Sequence, residues 1–480
     1  MAKTKVDKTT KKSQKESVKK ANTIKSKPSK NGKKTKSPLK RSTLGFEVEF
    51  FILDKNGKMV NECQTLLKKI EEKKRDPGAN IVKESHQNMI EVNGYPGLKV
   101  TNTLPSLISN IRLLLYTAEE LDLVLCPLAV YPGKHSQKTS PGLHYKSFEK
   151  LYGKKRFDLS ARTVGFHFHY ELPWGVFDAK KKMLKRMVNS KNMQSVVNVY
   201  NFLTATDPAI SAFLQSSPFY QGQNLAKDCR KLIIEGGEDE DGLYFPDSLY
   251  AKNQEFGALP EYIHTSADLV NLIEKLYKKR MDDFKKLKLS KKAIPNYKSK
   301  LDTNWQPVRI NKHGTTEARG MDMNHLQVIF AVSILLSRIL RAIQEKYINV
   351  ECSDIAISEP FKFEKNTIYI PPHSYVKEME RKSVYKGFES EDVWYYCKRL
   401  LWLVKMIEGK KVEGLLDPLE KMIKNKKTVA DEIIKQAQKL GHKDLKKELP
   451  ADIAAEIALD HSKRLFKEIV IVEKMIDELA

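Results

Sequence analysis

Three widely separated segments each place two charged or metal-binding side chains two residues apart inside an apolar run. They are Glu47 and Glu49 in Gly-Phe-Glu-Val-Glu-Phe-Phe-Ile-Leu, His167 and His169 in Val-Gly-Phe-His-Phe-His-Tyr, and Glu317 and Arg319 in Gly-Thr-Thr-Glu-Ala-Arg-Gly. Side chains alternate between faces of a strand with period two. Each pair therefore shares one face, while Phe46, Val48, Phe50, Phe166, Phe168 and Ala318 share the other. Two carboxylates one pleat apart repel unless a cation lies between them, and burying them unpaired is prohibitive. Oxygen ligands select Mg²⁺ or Mn²⁺. If the three strands share a sheet, that sheet carries a metal-lined pocket.

Each pair also has a plainer reading. Glu47 and Glu49 would be solvated on an edge strand, but their aromatic and aliphatic neighbours favour burial. His167 and His169 are candidates for metal ligands, phosphate donors or hydrogen-bonded core residues, with one of the two expected on metal. Glu317 suits a metal, and the Arg319 guanidinium suits charge developing on a transferred phosphoryl group. The alternative is a structural ion pair, which the flanking Gly314 and Gly320 weaken because they would let a ligand approach the backbone. Glu84 and Glu91 sit in one strand-like stretch, Lys83 to Val92, at odd spacing. They reach one pocket only if a turn or bulge lies between them. No Walker-type phosphate loop, dinucleotide-binding glycine fingerprint, nucleophile-elbow serine or zinc spacing is present, which leaves metal-assisted chemistry on a phosphate ester.

The elements that must position these residues follow from local pattern. The folded part begins near Thr43, and Asp54-Lys-Asn-Gly-Lys58 reads as a tight turn whose Asn-Gly supplies positive φ angles. A helix from Glu62 to Lys74 ends at Asp76-Pro77-Gly78. Helical spacing recurs over 105–121, and Leu123 to Val130 fits a buried strand. Tyr131 to Gly142 reads as a loop. Helices are expected over 178–213, 268–289 and 324–350, then almost continuously from Glu389 to Ala480 with Gly409, Gly441 and Pro450 as breaks. Early strands with interleaved and late helices indicate an α+β architecture. The expected domains are a disordered basic tail (1–42), a catalytic domain (43–388) and a helical C-terminal subdomain (389–480).

Charge is unevenly spread along the 480 residues. The formal net charge is +25, and residues 1–41 hold fifteen Lys and one Arg against Asp7 and Glu16, so 16 − 2 = +14 lies there and 25 − 14 = +11 elsewhere. A Ser/Thr/Lys segment with few large apolar residues cannot offset its ordering entropy. It is expected to be a solvated tail, with non-specific nucleic-acid contact as the functional alternative. Five cysteines show no paired spacing, which fits reduced thiols in a cytosolic protein. The most apolar stretch, Leu326 to Leu340, is expected to be too short and interrupted to span a bilayer.

Five motifs in order resemble the glutamate–cysteine ligase and carboxylate-amine ligase family of the glutamine synthetase superfamily. They are the opening strand Gly45 to Asp54, the acidic pair Glu84 and Glu91, Gly165-Phe-His-Phe-His169, Gln215-Ser-Ser-Pro-Phe-Tyr-Gln-Gly222, and Gly314-Thr-Thr-Glu-Ala-Arg319. The resemblance spans about residues 43 to 350. It implies an antiparallel sheet curved into a half-barrel that binds ATP and Mg²⁺, with Mn²⁺ as the alternative. It implies γ-phosphoryl transfer to the side-chain carboxylate of glutamate and attack by an amine such as that of cysteine. Glu47, Glu49, Glu84, Glu91, His167 and Glu317 would be the metal ligands, Arg319 and Glu47 the catalytic residues, and His169, Ser217 and Arg319 the nucleotide contacts. Amino-acid substrates and glutathione biosynthesis follow from the same resemblance. A ligase for another amine, and an inactive nucleic-acid-associated relative, are the alternatives. Departures at Asn224 to Arg230, before Trp305 and at Asp322 to Asn324 leave the acceptor open.

Overall fold

The computed structural model describes residues 41–73, 80–185, 190–289 and 299–478. Residues 1–40 of the basic tail and the Asp76-Pro77-Gly78 turn lie outside the described residues. Seven strands form the central sheet: β1 (Leu44–Asp54), β2 (Asn80–Lys83), β3 (Met89–Asn93), β4 (Leu123–Cys126), β5 (Gly165–Glu171), β6 (Val308–Asn311) and β7 (Thr315–Asp322). Their order is β6-β7-β5-β1-β3-β2, with β4 paired to the far end of β1. Every pairing is antiparallel. The three sequence pairs thus sit on neighbouring strands β1, β5 and β7.

One sheet face is mainly apolar. Phe46, Val48, Phe50, Phe166 and Phe168 are buried, and the Phe46 ring lies 5.6 Å from Phe168 and 6.1 Å from Phe166. Each such side chain contributes about 2 kcal/mol by leaving water. Helices α2 (Val100–Glu119), α4 (Lys191–Leu214) and α7 (Leu326–Glu345) pack on the sheet and feed their apolar stripes into the same core. Two shorter helices, α1 (Cys63–Lys73) and α3 (Leu143–Tyr152), and α5 (Cys229–Glu235) and α6 (Ser266–Lys286) complete the flanks of the site.

Several boundaries differ from the sequence expectation, each for a local reason. The stretch Lys83 to Val92 is a hairpin, not one strand: β2 ends at Lys83 and β3 begins at Met89. The strand expected through Val130 stops at Cys126, the last residue paired to β1. Residues 177–184 form a short hairpin before α4 rather than the start of a helix. At the Asn-Gly turn only Gly57 has positive φ, 79°. The Asp54 carboxylate instead accepts from the Asn56 and Lys58 amides at 2.9 and 2.8 Å, a side-chain turn of the Asx kind. α7 ends at Glu345, and β8 (Asn349–Cys352), β9 (Lys362–Glu364) and β10 (Thr367–Ile370) form a second sheet that periodicity did not reveal. Among the described residues α7 is also long and apolar enough to cross a membrane, with mean hydropathy 1.9, contrary to expectation. Its apolar window is 83% buried inside the protein, so its hydrophobicity is that of a core helix.

The described residues from Arg41 onward form one compact unit. Its late part is helical as expected: α8 (His373–Lys386), α9 (Glu391–Glu408), α10 (Asp417–Asn425), α11 (Val429–Lys439) and α12 (Ala451–Asp477). These helices share the core with the sheet. Glu468 of α12 accepts the Leu326 amide at 2.7 Å and lies 2.6 Å from His325 Nδ1, which caps the otherwise uncapped N-terminus of α7. All five cysteines are free, and only Cys352 is exposed.

A buried ion network stands behind β7. Lys231 of α5 pairs with Asp207 of α4, with Glu380 of α8 at 3.2 Å and with Glu235 at 3.5 Å. Burial alone would depress the Lys231 ammonium, but these carboxylates outweigh it and hold it well above its ordinary value. Lys231→Met would strand three buried acids. It is expected to cost about 3–5 kcal/mol in urea unfolding, and a loss below about 1 kcal/mol would mean that the network contributes little.

Candidate active site

Pairing register brings the sequence pairs together. Glu47 faces His167 across β1 and β5, Glu49 faces Glu91 across β1 and β3, and His169 faces Glu317 across β5 and β7. The hairpin turn returns Glu84 towards Glu91, which answers the odd-spacing problem in the sequence. Two groups of potential cation ligands result, each with its donor atoms within 4.8 Å of one another: Glu49, Glu84 and Glu91, and Glu47, His169 and Glu317.

The two groups differ in charge. Glu49, Glu84 and Glu91 bring three carboxylates together. Glu49 accepts the Gly165 amide at 2.7 Å and Glu91 accepts from Asn93 at 2.6 Å. Burial, then the neighbouring carboxylates of Glu91 and Glu49, push Glu84 well above the usual carboxylate range. Burial and the charge of Glu47 and Glu49 push Glu91 up as well. An all-oxygen, all-anionic donor set with its charge unbalanced fits a hard divalent cation such as Mg²⁺ or Mn²⁺.

In the other group the protein itself supplies positive charge. Glu47 lies 3.0 Å from His167 Nδ1 and 3.2 Å from His169 Nε2. Burial opposes ionisation of Glu47, yet hydrogen bonds from both imidazoles leave it well below the usual carboxylate range. Glu317 is 1% exposed, and it accepts from Arg309 at 2.8 Å and Asn311 at 2.6 Å, with Arg319 at 3.3 Å. Against the cost of burial, Arg309 and then Arg319 hold its carboxyl far below the ordinary value. Both readings of the Glu317/Arg319 pair therefore have geometric content: it is an ion pair, and it borders a ligand group. Glu317 Oε2 already accepts two hydrogen bonds, but Oε1 accepts only one long one from Arg309 at 3.3 Å, so Oε1 with the Glu47 carboxylate and His169 leaves lone pairs with which the group also fits a metal.

A cavity of about 240 Å³ opens onto Glu49 and Glu84 of the first group and onto the arginines that hold Glu317 of the second. Its lining combines Glu49, Glu84 and His167 with Arg230, Arg280, Arg309 and Arg319 and an aromatic wall of Phe148, Tyr152, Tyr250 and Trp305. The Arg319 and Arg230 guanidiniums lie 5.1 and 5.7 Å from the Trp305 ring centre. The β5–β7 register slips by one residue between Ala318 and Met321, a bulge that contains Arg319 and Gly320. A Cβ on Gly320 would meet Pro307 at 2.7 Å and Asp207 at 2.8 Å, so glycine is what allows the bulge to form there.

Gly165 has an equally specific reason. A Cβ there would fall 2.9 Å from Arg230 Cζ and 3.0 Å from the Met321 carbonyl. Gly165→Ala is expected to push Arg230 out of line and cost about 1–3 kcal/mol of stability. A thermal melt unchanged from wild type would show that Arg230 yields freely.

Placement of the expected residues is mixed. Glu47, Glu49, Glu84, Glu91 and Glu317 fall in the two ligand groups. His169, expected at the nucleotide, lies with Glu47 and Glu317, while His167, expected on metal, bridges Glu47 and Glu49 at 3.0 and 3.8 Å and lines the cavity. Ser217, expected at the nucleotide, is fully buried and donates to Asp322 at 2.7 Å, away from the cavity lining. That bond absorbs one of the departures noted at Asp322. The guanidiniums of Arg230, Arg280 and Arg309 were not anticipated. Arg309 alternates with Val308 and Ile310 in a strand, and Arg280 falls on the apolar stripe of α6 with Ile273, Leu276 and Phe284. Each is a legible irregularity in an otherwise apolar pattern.

The profile of glutamate-cysteine ligase family 2 matches residues 43–345, which include both ligand groups. The chain belongs to this family. A provisionally named glutamate–cysteine ligase 2 of Chromobacterium violaceum is 29% identical over 185 residues, which are 38% of this chain and 43% of that protein. The chain thus spans less than half the length of that curated relative. A glutamate–cysteine ligase of Francisella tularensis, solved in complex with AMP, aligns with a TM-score of 0.54 at 12% identity, covering 91% of this chain and 95% of that one. A bifunctional glutathione synthetase of Pasteurella multocida gives 0.52 at 13% identity over 89% of this chain and 53% of that one. At these identities the two structures establish a shared mixed helix-and-sheet fold.

Proposed function

We propose that this family member is an ATP-dependent carboxylate–amine ligase that joins the γ-carboxylate of glutamate to the amine of cysteine. The observation that carries the reading is a cavity lined by Glu49 and Glu84 of the three-carboxylate group together with the guanidiniums of Arg230, Arg309 and Arg319, the last two paired with Glu317 of the second group. Family membership and the AMP-bound Francisella relative support an adenine nucleotide as the phosphoryl donor. Glu49, Glu84 and Glu91 would hold one divalent cation, and Glu47, His169 and Glu317 a second. The chemistry a cation supplies in such a site is charge neutralisation on the triphosphate and alignment of its γ-phosphoryl group.

The chain's own residues do the rest. The glutamate carboxylate oxygen attacks the γ-phosphorus and ADP leaves. Arg319, braced by Glu317 and Trp305, directs its fork at charge on the transferring group. The aromatic wall keeps water from the resulting γ-glutamyl phosphate, so that the amine is the nucleophile that displaces phosphate. The curved half-barrel form of the sheet, the division of labour between 43–388 and 389–480 and a cytosolic setting belong to the same proposal.

The test is ADP release from purified protein with Mg²⁺, ATP and glutamate, adding one candidate amine at a time and identifying products by mass. Cysteine-dependent release with γ-glutamylcysteine as product is expected. Release with a different amine would keep the chemistry and change the acceptor. No release with any amine would overturn the reading.

A further inference from the structure

We propose that Arg280 anchors the substrate carboxylate that is not activated, and so fixes how an amino-acid substrate enters the cavity; this deepens the ligase reading and rests on it. Arg280 is 2% exposed, on the buried stripe of α6, and lines the cavity. Its guanidinium lies 3.7 Å from the Phe256 ring centre, 5.3 Å from Tyr152 and 5.9 Å from Phe148. Its Nε and Nη1 are buried without a hydrogen-bond acceptor, and among the described residues no carboxylate pairs with it.

Aromatic faces compensate a cation above and below its plane but leave its in-plane N–H donors unmet. A buried guanidinium in that state is incomplete until an anion arrives. The other cavity arginines have other engagements. Arg309 and Arg319 are tied to Glu317, and Arg230 donates to the Arg319 carbonyl at 3.2 Å. Arg230 Nε and Nη1 and Arg319 Nε are also unmet, so position separates them: Arg230, Arg309 and Arg319 gather beside Glu317 and the ligand groups, where a triphosphate would bind, whereas Arg280 belongs to the aromatic wall. A planar carboxylate matches a planar guanidinium held between rings. An amino acid that offers one carboxylate for activation brings a second, on its α-carbon, that a dry cavity must neutralise.

The discriminating ligands are L-glutamate and 4-aminobutyrate, which keeps the γ-carboxylate and the amine but lacks the α-carboxylate. Calorimetry on the full chain with Mg²⁺ and ADP present is expected to show wild type binding L-glutamate at least about 30-fold more tightly. Arg280→Met should erase that difference and leave ADP affinity unchanged, with Arg280→Lys recovering part of it. Because Arg280→Met removes an unpaired buried cation, its unfolding midpoint without ligand should be no lower than wild type, which separates a binding role from a structural one. A folded Arg280→Met protein that discriminates like wild type overturns the inference alone, as does one that loses ADP affinity and keeps its glutamate preference. A wild type that binds no L-glutamate overturns the glutamate reading together with the inference.

Discussion

Exchanging Glu49 for Gln is expected to lower ligation about 100- to 1000-fold while the protein unfolds at or above the wild-type midpoint. The two effects part because Glu49 serves geometry and charge differently. A Gln side-chain carbonyl can still accept the Gly165 amide that Glu49 accepts at 2.7 Å, so the β1–β5 junction survives. What disappears is one of three like charges whose mutual repulsion, with burial, already pushes Glu84 and Glu91 upward. Metal-free stability should therefore hold or rise, and the Mg²⁺ concentration needed for half-maximal ADP release should increase. A Glu49→Gln enzyme with wild-type turnover and wild-type Mg²⁺ dependence would remove the three-carboxylate group from the mechanism.

Arg319→Met should cost about a thousandfold or more in turnover with little change in the KM for ATP. The reason lies in the bulge, which sets the guanidinium between Glu317 at 3.3 Å and the Trp305 ring at 5.1 Å. Lysine carries the same charge without the planar fork, so Arg319→Lys should recover only a small part of the loss. Steady-state kinetics at varied ATP separates the cases. A variant whose KM rises and whose kcat stays unchanged would make Arg319 a ground-state binder, not a group that acts on the transferring phosphoryl.

These two residues also mark how far sequence reasoning reached. Glu49 was legible as a candidate because a carboxylate inside Phe-Glu-Val-Glu-Phe-Phe is a local contradiction, and the structure buries it beside Glu84 and Glu91. Arg319 was legible as a type but not in its placement, since strict period-two alternation contains no bulge; Gly320 was the one local signal for it. The Glu84–Glu91 problem was posed correctly by odd spacing and solved by a hairpin whose turn carries no Asn-Gly signature. The surroundings of His167 and His169 depend on pairing partners 120 and 146 residues away, which no local pattern encodes. Ser217 lies away from the cavity lining for a related reason: its hydroxyl answers Asp322, on a strand 105 residues later. The guanidinium wall comes from three elements distant in sequence, so it emerges only once α5, α6 and β6 converge on the cavity.

The central claim is that a carboxylate is activated by phosphoryl transfer inside this cavity. Glutamate labelled with ¹⁸O in its γ-carboxylate tests it directly, because the attacking oxygen stays with phosphorus when the amine displaces phosphate. Mass analysis after turnover with ATP, Mg²⁺ and the accepted amine should find one ¹⁸O in each inorganic phosphate released, together with ADP. Unlabelled phosphate, or AMP and pyrophosphate in place of ADP and phosphate, would contradict the account.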